Sequence, residues 1–217
     1  MKLKKKTKRI IIALLIILVI GAIALLAIYF NNKPTVRESK ILKEIPEYGY
    51  ILRDSHSKEY QKLFHELADI LSKDPVDQEQ YVTLISKMFI IDFYSLNSKV
   101  ANTDVGGTDF IYQPIIGNFL ENATNTIYKY VENNIYGQRT QKGLPTVKSV
   151  EIVSINQESF EYVDTEGNDQ EDEEAFVVSV RWTYTEDNDY QTEAILVFIH
   201  NGIRLDLVEL RNESNEE

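Results

Sequence analysis

The sequence predicts an α+β domain carried behind a single transmembrane helix. Three observations lead there. Residues Ile10 to Phe30 contain no charged or polar side chain other than Tyr29. Apolar residues recur at helical spacing from about Ser57 to Val131, and beyond Pro145 the period changes from about 3.6 to 2.

The chain has 217 residues, 23 Lys+Arg against 34 Asp+Glu, and no cysteine. A hydrophobic content of 43% supports a packed core. The lack of cysteine excludes a disulfide scaffold, a thiolate zinc site, a Cys nucleophile and a Cys-linked lipid anchor. Charge divides the chain in two. Residues 1–30 carry six basic and no acidic residues, leaving 17 basic against 34 acidic over the rest, a net −17.

The 21 residues from Ile10 to Phe30 would reach roughly 31 Å as a helix, matching a hydrocarbon core of about 30 Å. A cleaved signal peptide has a shorter apolar core that ends at small residues, whereas this run ends Ile28-Tyr29-Phe30. The length and that ending favour an uncleaved anchor in the plasma membrane. The nine residues before the run hold six Lys and Arg, and the fifteen after it hold four. Basic residues are retained on the cytoplasmic side, which predicts a cytoplasmic N-terminus and an extracytoplasmic C-terminal domain. The divisions are then a basic tail (1–9), the span (10–30), a juxtamembrane stalk (31–54), a folded domain (55–210) and an acidic tail (211–217).

Within the domain the first helix is predicted from Ser57 to Ser72, with Tyr60, Leu63, Phe64, Leu67, Ile70 and Leu71 on one stripe. Asp74-Pro75 is expected to open a second helix, capped by Asp74 and apolar on nearly every side from Phe89 to Tyr94. Asn97 to Thr108, with Gly106-Gly107, reads as a loop. A third helix is expected from Pro114, with Ile115, Ile116, Phe119, Leu120, Ala123, Ile127, Tyr130 and Val131 inward. Strands follow at Val147–Ile155 and Ser159–Val163, then at Ala175–Tyr184 and Thr192–His200. Asn201-Gly202 signals a hairpin to a last strand at Ile203–Leu210. Connections this short require an antiparallel meander.

Three helices followed by a meander resemble the cone-shaped fold of the nuclear transport factor 2-like superfamily, in which a curved antiparallel sheet wraps a long helix. The Tyr81 to Tyr94 helix and the Asn201-Gly202 hairpin carry that resemblance, which covers about Ser55 to Leu210. With the basic tail and the span added, the whole chain is similar to the bitopic VirB-eight family of type IV secretion and conjugation machines. That resemblance implies a noncatalytic scaffold that binds other envelope or membrane-complex proteins, itself included.

Enzymes that resemble the cone fold place Asp, His or Tyr in its mouth, so the cavity candidates are His65, Asp92, Tyr94 and Tyr112. Asp92 interrupts the apolar run Phe89 to Tyr94. Held there it could have a raised pKa suited to a general base. The competing reading, in which it caps, bonds a nearby backbone or faces solvent, is favoured because perturbed carboxylates are also common in structural networks. His65 is a lone helical histidine read as a surface or core-filling residue, and His200 is read as a strand-end residue. The run Asp164 to Glu174 holds seven carboxylates but lacks the ligand order of a calcium loop, so it is expected to be a solvated hairpin loop. Tyr128, Tyr130 and Tyr136 cluster where either a partner or the core could take them. Acidic loops repel nucleic acid, which excludes it as a partner of the outer domain. The sequence contains no phosphate loop, dinucleotide loop, nucleophile elbow or His-Glu-x-x-His, and no cofactor is expected. A small-ligand-binding domain or enzyme using a cavity near Asp92 is the alternative function.

Overall fold

A computed structural model of the chain describes residues 39–211 apart from 135, 136, 138, 187 and 188. The basic tail, the predicted span Ile10 to Phe30, the first part of the stalk and the tail after Arg211 lie outside the described residues, as does Tyr136. No helix among the described residues is long and apolar enough to cross a membrane.

The second half of the predicted stalk is part of the domain. Strands β1 (Ile41–Ile45) and β2 (Tyr50–Arg53) form an antiparallel hairpin. Its turn ends at Gly49, whose φ of +67° favours glycine. The reason lies in a short period-two pattern: Tyr48, Tyr50 and Leu52 are buried, while the charged residues that suggested a linker occupy the exposed strand β1.

Helix α1 (Lys58–Leu71) begins where Ser57 Oγ accepts from Tyr60 N at 3.1 Å, and its six predicted inward residues are all buried. Helix α2 (Gln78–Tyr94) starts later than expected. Its cap is Asp77, which accepts from Gln80 N at 3.0 Å, rather than Asp74. The helix is buried on most sides and packs against α1 and the sheet. Short 3-10 turns at Leu96–Ser98, Thr108–Phe110 and Gln113–Ile115 lead to α3 (Ile116–Asn125). This helix is shorter than its apolar pattern. It ends before Ile127, and Tyr130, predicted inward, is 74% exposed.

Strands β3 (Val147–Val163), β4 (Asp169–Tyr184), β5 (Glu193–Asn201) and β6 (Arg204–Arg211) form one antiparallel sheet in that order. The meander agrees with the sequence, with three local corrections. The two strands expected before Val163 are one, because Asn156 and Gln157 pair with Val177 and Phe176 instead of turning. Most of the acidic run is strand: only Asp164 to Asn168 turns, closed by Gly167 at φ +88°, while Asp169 to Asp172 pair with β3 and Glu173 and Glu174 lie at a shift in the register. The last turn is Gly202-Ile203, between paired Asn201 and Arg204. Positive φ at Gly202 alone marks it as the form with glycine first.

Alternation along β4 sends Phe176, Val178, Val180 and Trp182 into the core beside Ala194, Leu196, Phe198, Leu205 and Leu207. The described residues are thus α+β, with three α-helices, the β1–β2 hairpin and a four-stranded antiparallel sheet around one main core.

Candidate functional site

The hairpin β1–β2 is fastened to the rest of the domain by polar bonds inside an otherwise apolar interface. Tyr50 Oη lies 2.6 Å from Tyr81 Oη, and Leu205 N donates to Tyr81 Oη at 3.2 Å. Burial raises the Tyr81 phenol to about 12. Arg204 donates from one end of β6 to the carbonyls of Tyr48 and Asp109, pairs with the buried Asp206 at 2.8 Å, and sits 4.8 Å from the Tyr50 ring centre. Unpaired, any of these buried groups would cost on the order of 1–3 kcal/mol. Together they fix where β2 delivers the residues that follow it.

Those residues, with the end of α2 and the loop after it, enclose a polar pocket of about 200 Å³. Asp92 and Lys99 form its inner wall, joined at 2.5 Å, with side chains only 18% and 7% exposed. Asp92 Oδ2 also accepts from Gly107 N at 2.7 Å. Burial by itself would raise the Asp92 carboxyl, but the Lys99 ammonium and the Gly107 amide hold it below the usual carboxylate range. The loop must approach closely to do this. A Cβ on Gly106 would lie 2.3 Å from the Asp92 carbonyl oxygen, and Gly107 has φ +73° with the Phe89 ring 2.6 Å from its would-be Cβ. Gly106 N donates to Tyr128 Oη at 3.0 Å, which itself donates to the Phe93 carbonyl.

The outer wall carries Arg53, His56, Thr108 and Asp109. His56 stacks on Tyr60 with ring centres 4.0 Å apart, and its Nδ1 accepts from Arg53 N at 3.2 Å. The proton of the neutral ring is therefore on Nε2, which is left as a donor. Burial keeps the ring neutral, lowering its pKa despite the pull of Asp92. Asp109 is shifted the opposite way from Asp92: burial raises its carboxyl, against the opposing pull of Arg53 and a hydrogen bond from the Ile51 backbone. Arg53 and Asp109 line the same pocket, yet no ion pair joins them among the described residues.

The four residues singled out from the sequence do not meet. Asp92 is in the polar pocket, but as half of a satisfied ion pair with a lowered pKa, which corrects the raised pKa imagined for a general base. Tyr94 is in the core with its ring 4.3 Å from that of Trp182 and its hydroxyl without a hydrogen-bond partner. Tyr112 packs edge-on against Tyr162 beside Ile199. His65 is exposed on α1, its Nδ1 3.4 Å from Lys43 Nζ. His200 is a strand-end residue whose Nδ1 lies 2.9 Å from Asp172. Arg53, His56, Lys99 and Asp109 were not identified from the sequence. Only the Gly106-Gly107 pair, which allows the loop to approach α2, could have hinted at them.

A second cavity, of about 380 Å³ and mainly apolar, lies between α3 and β6, bounded by Phe93, Ile111, Phe119, Ile127, Leu207 and Leu210. It holds none of the four candidates. No cluster of metal-ligating side chains occurs among the described residues. The polar pocket offers donors and two carboxylates, Asp104 and Asp109, without an ion-pair partner among the described residues, a set suited to holding a polar ligand. Comparison with protein-family models, curated proteins and solved structures found no match.

Proposed function

We propose that this chain is a single-pass plasma-membrane protein whose domain, carried outside the cytoplasm, binds other proteins of an envelope complex, conjugation and secretion machines among them. The observation that carries the reading is the 21-residue apolar run behind six basic residues, placed directly ahead of a folded, strongly acidic domain. The order of elements, with the apolar helix α2 against β3 and β4, supports the cone-shaped, nuclear transport factor 2-like form of this α+β class. The scattering of the four cavity candidates supports a noncatalytic role. Crosslinking in intact cells, followed by membrane pelleting, tests it. The full-length chain is expected in the pellet with specific protein adducts. An unclipped chain that stays in the supernatant, or that is a solitary monomer under every condition, overturns the reading.

A second reading is small-ligand binding, favoured by the polar pocket that Asp92 lines. Here the ion pair of Asp92 and Lys99 serves as a fixed floor and the outer wall as the binding groups.

A further inference from the structure

We propose that the pocket between β2 and the loop after α2 binds a small zwitterion of the α-amino-acid class, its carboxylate on Arg53 and His56 and its ammonium on Asp109. The proposal rests on the small-ligand reading of this pocket and names the ligand chemistry.

Size comes first. A volume of about 200 Å³ is below the usual 300–1,000 Å³ of pockets for drug-sized ligands, so the occupant is small. Its lining is polar, with Ser39, Ser55 and Thr108 adding hydroxyls, so the occupant is polar too.

Charge decides the class. Of the five formally charged residues in the lining, Asp92 and Lys99 neutralise one another, while Asp104 keeps its charge, one oxygen accepting from Val100 N at 2.9 Å. Arg53 is left with Asp104 and Asp109, and Arg53 and Asp109, of opposite sign, are not ion-paired with each other. A guanidinium is suited to a carboxylate, which it can hold with two parallel bonds. His56 Nε2–H supplies a further donor because its Nδ1 is occupied by Arg53 N. A simple anion would satisfy Arg53 and burden Asp109, while a simple cation would do the reverse. A molecule carrying both charges a few bonds apart satisfies both walls.

Asp109 supplies an independent reading of the bound charge. Arg53 from β2, Asp92 from α2 and Arg204 from β6 are the charged groups whose field reaches it, and burial raises it overall. An ammonium placed against it favours its ionised form, and a carboxylate-only ligand favours the protonated one.

The test is isothermal titration of the full-length chain in detergent with glycine, L-alanine and L-serine, against acetate, ethylammonium and N-acetylglycine. At least one amino acid is expected to bind tenfold or more tightly than every single-charge analogue. Arg53→Gln and Asp109→Asn should each weaken that binding at least tenfold, while Lys62→Gln leaves it unchanged. Urea unfolding followed at Trp182 establishes that each variant is folded. If a single-charge analogue binds as tightly as the amino acids, the zwitterion is wrong and the pocket still binds ligands. If none of the six probes binds at millimolar concentration, the proposal and the small-ligand reading both fall.

Discussion

Replacing Asp92 by Asn separates a structural carboxylate from a catalytic one. In the parent protein the Asp92–Lys99 pair is short, and both side chains are largely enclosed, at 18% and 7% exposure. Removing one charge of such a pair leaves the other without compensation and costs about 3–5 kcal/mol. Asn retains an oxygen that can accept from Gly107 N, so the loss should fall near the lower end, about 3 kcal/mol. With a urea m-value of about 2 kcal/mol/M, the unfolding midpoint falls by roughly 1.5 M. Lys62→Gln provides the contrast. Its pair with Glu66 spans 3.7 Å with both side chains well exposed, and it is worth under about 0.5 kcal/mol. The assay is urea unfolding of the full-length chain in detergent, read from Trp182, the single tryptophan, which contacts Tyr94 in the core. Lys99→Met added to Asp92→Asn should restore part of the loss, because the uncompensated ammonium is then gone.

The pH dependence has a definite sign. The folded pKa of Asp92 is depressed, so its stabilisation is fully present above the unfolded carboxylate value near 3.9 and is lost as pH falls through the folded value. The gap between parent and Asp92→Asn should therefore be constant near neutrality and close below about pH 4. A single variant within about 0.5 kcal/mol of the parent at pH 7, with no closing of the gap in acid, would refute the structural assignment.

Asp109→Asn should have the opposite effect: its folded pKa is raised, so the ionised form disfavours folding as pH rises, and the variant is expected to be as stable as the parent or up to about 1 kcal/mol more so at pH 7, with the difference vanishing in acid. Tyr81→Phe should cost about 1–3 kcal/mol by urea unfolding, more than Tyr50→Phe, because it also orphans the Leu205 amide. Tyr94→Phe should be within about 0.5 kcal/mol of the parent, since the hydroxyl it removes has no partner; a loss above about 1 kcal/mol would reveal a bond to it. Gly107→Ala should lose more than about 2 kcal/mol and weaken Asp92's shielding from acid, because it places a Cβ against Phe89 at a φ that L-residues resist.

What was legible in the sequence was what local periodicity controls. The α1 stripe, the enclosed end of α2 and the alternation of β4 each follow from a repeat within one element, and the short connections force an antiparallel order. Errors arose where a tertiary partner overrode the local signal. Asn156 and Gln157 look like a turn in isolation, but pairing with β4 holds them extended. Asp169 to Glu174 look like a loop because six consecutive polar residues offer no alternation, yet Asp169 to Asp172 pair with β3 and the Asp172 side chain, 11% exposed, is held by the His200 amide and ring. The β1–β2 hairpin was hidden because only three of its residues face the core, and the charges around them resemble a linker.

The pocket was illegible for a related reason, and Asp92 shows it most clearly. A carboxylate inside an apolar helix can have its pKa shifted either way, and the direction depends on what the rest of the chain brings to it. Here Lys99 comes from seven residues further on, by way of a loop that only Gly106 and Gly107 allow to close over the helix end. The opposite wall comes from β2 and the turn after it, more than thirty residues earlier, fixed by Arg204 from the far end of the chain. No repeat or spacing links these segments. The shared pocket nevertheless pushes Asp92 down and Asp109 up, which divides the two carboxylates between holding the fold and facing a ligand. If substitution at both positions had the same effect on stability and on binding, that division would fail, and with it the reason for placing the ammonium at Asp109.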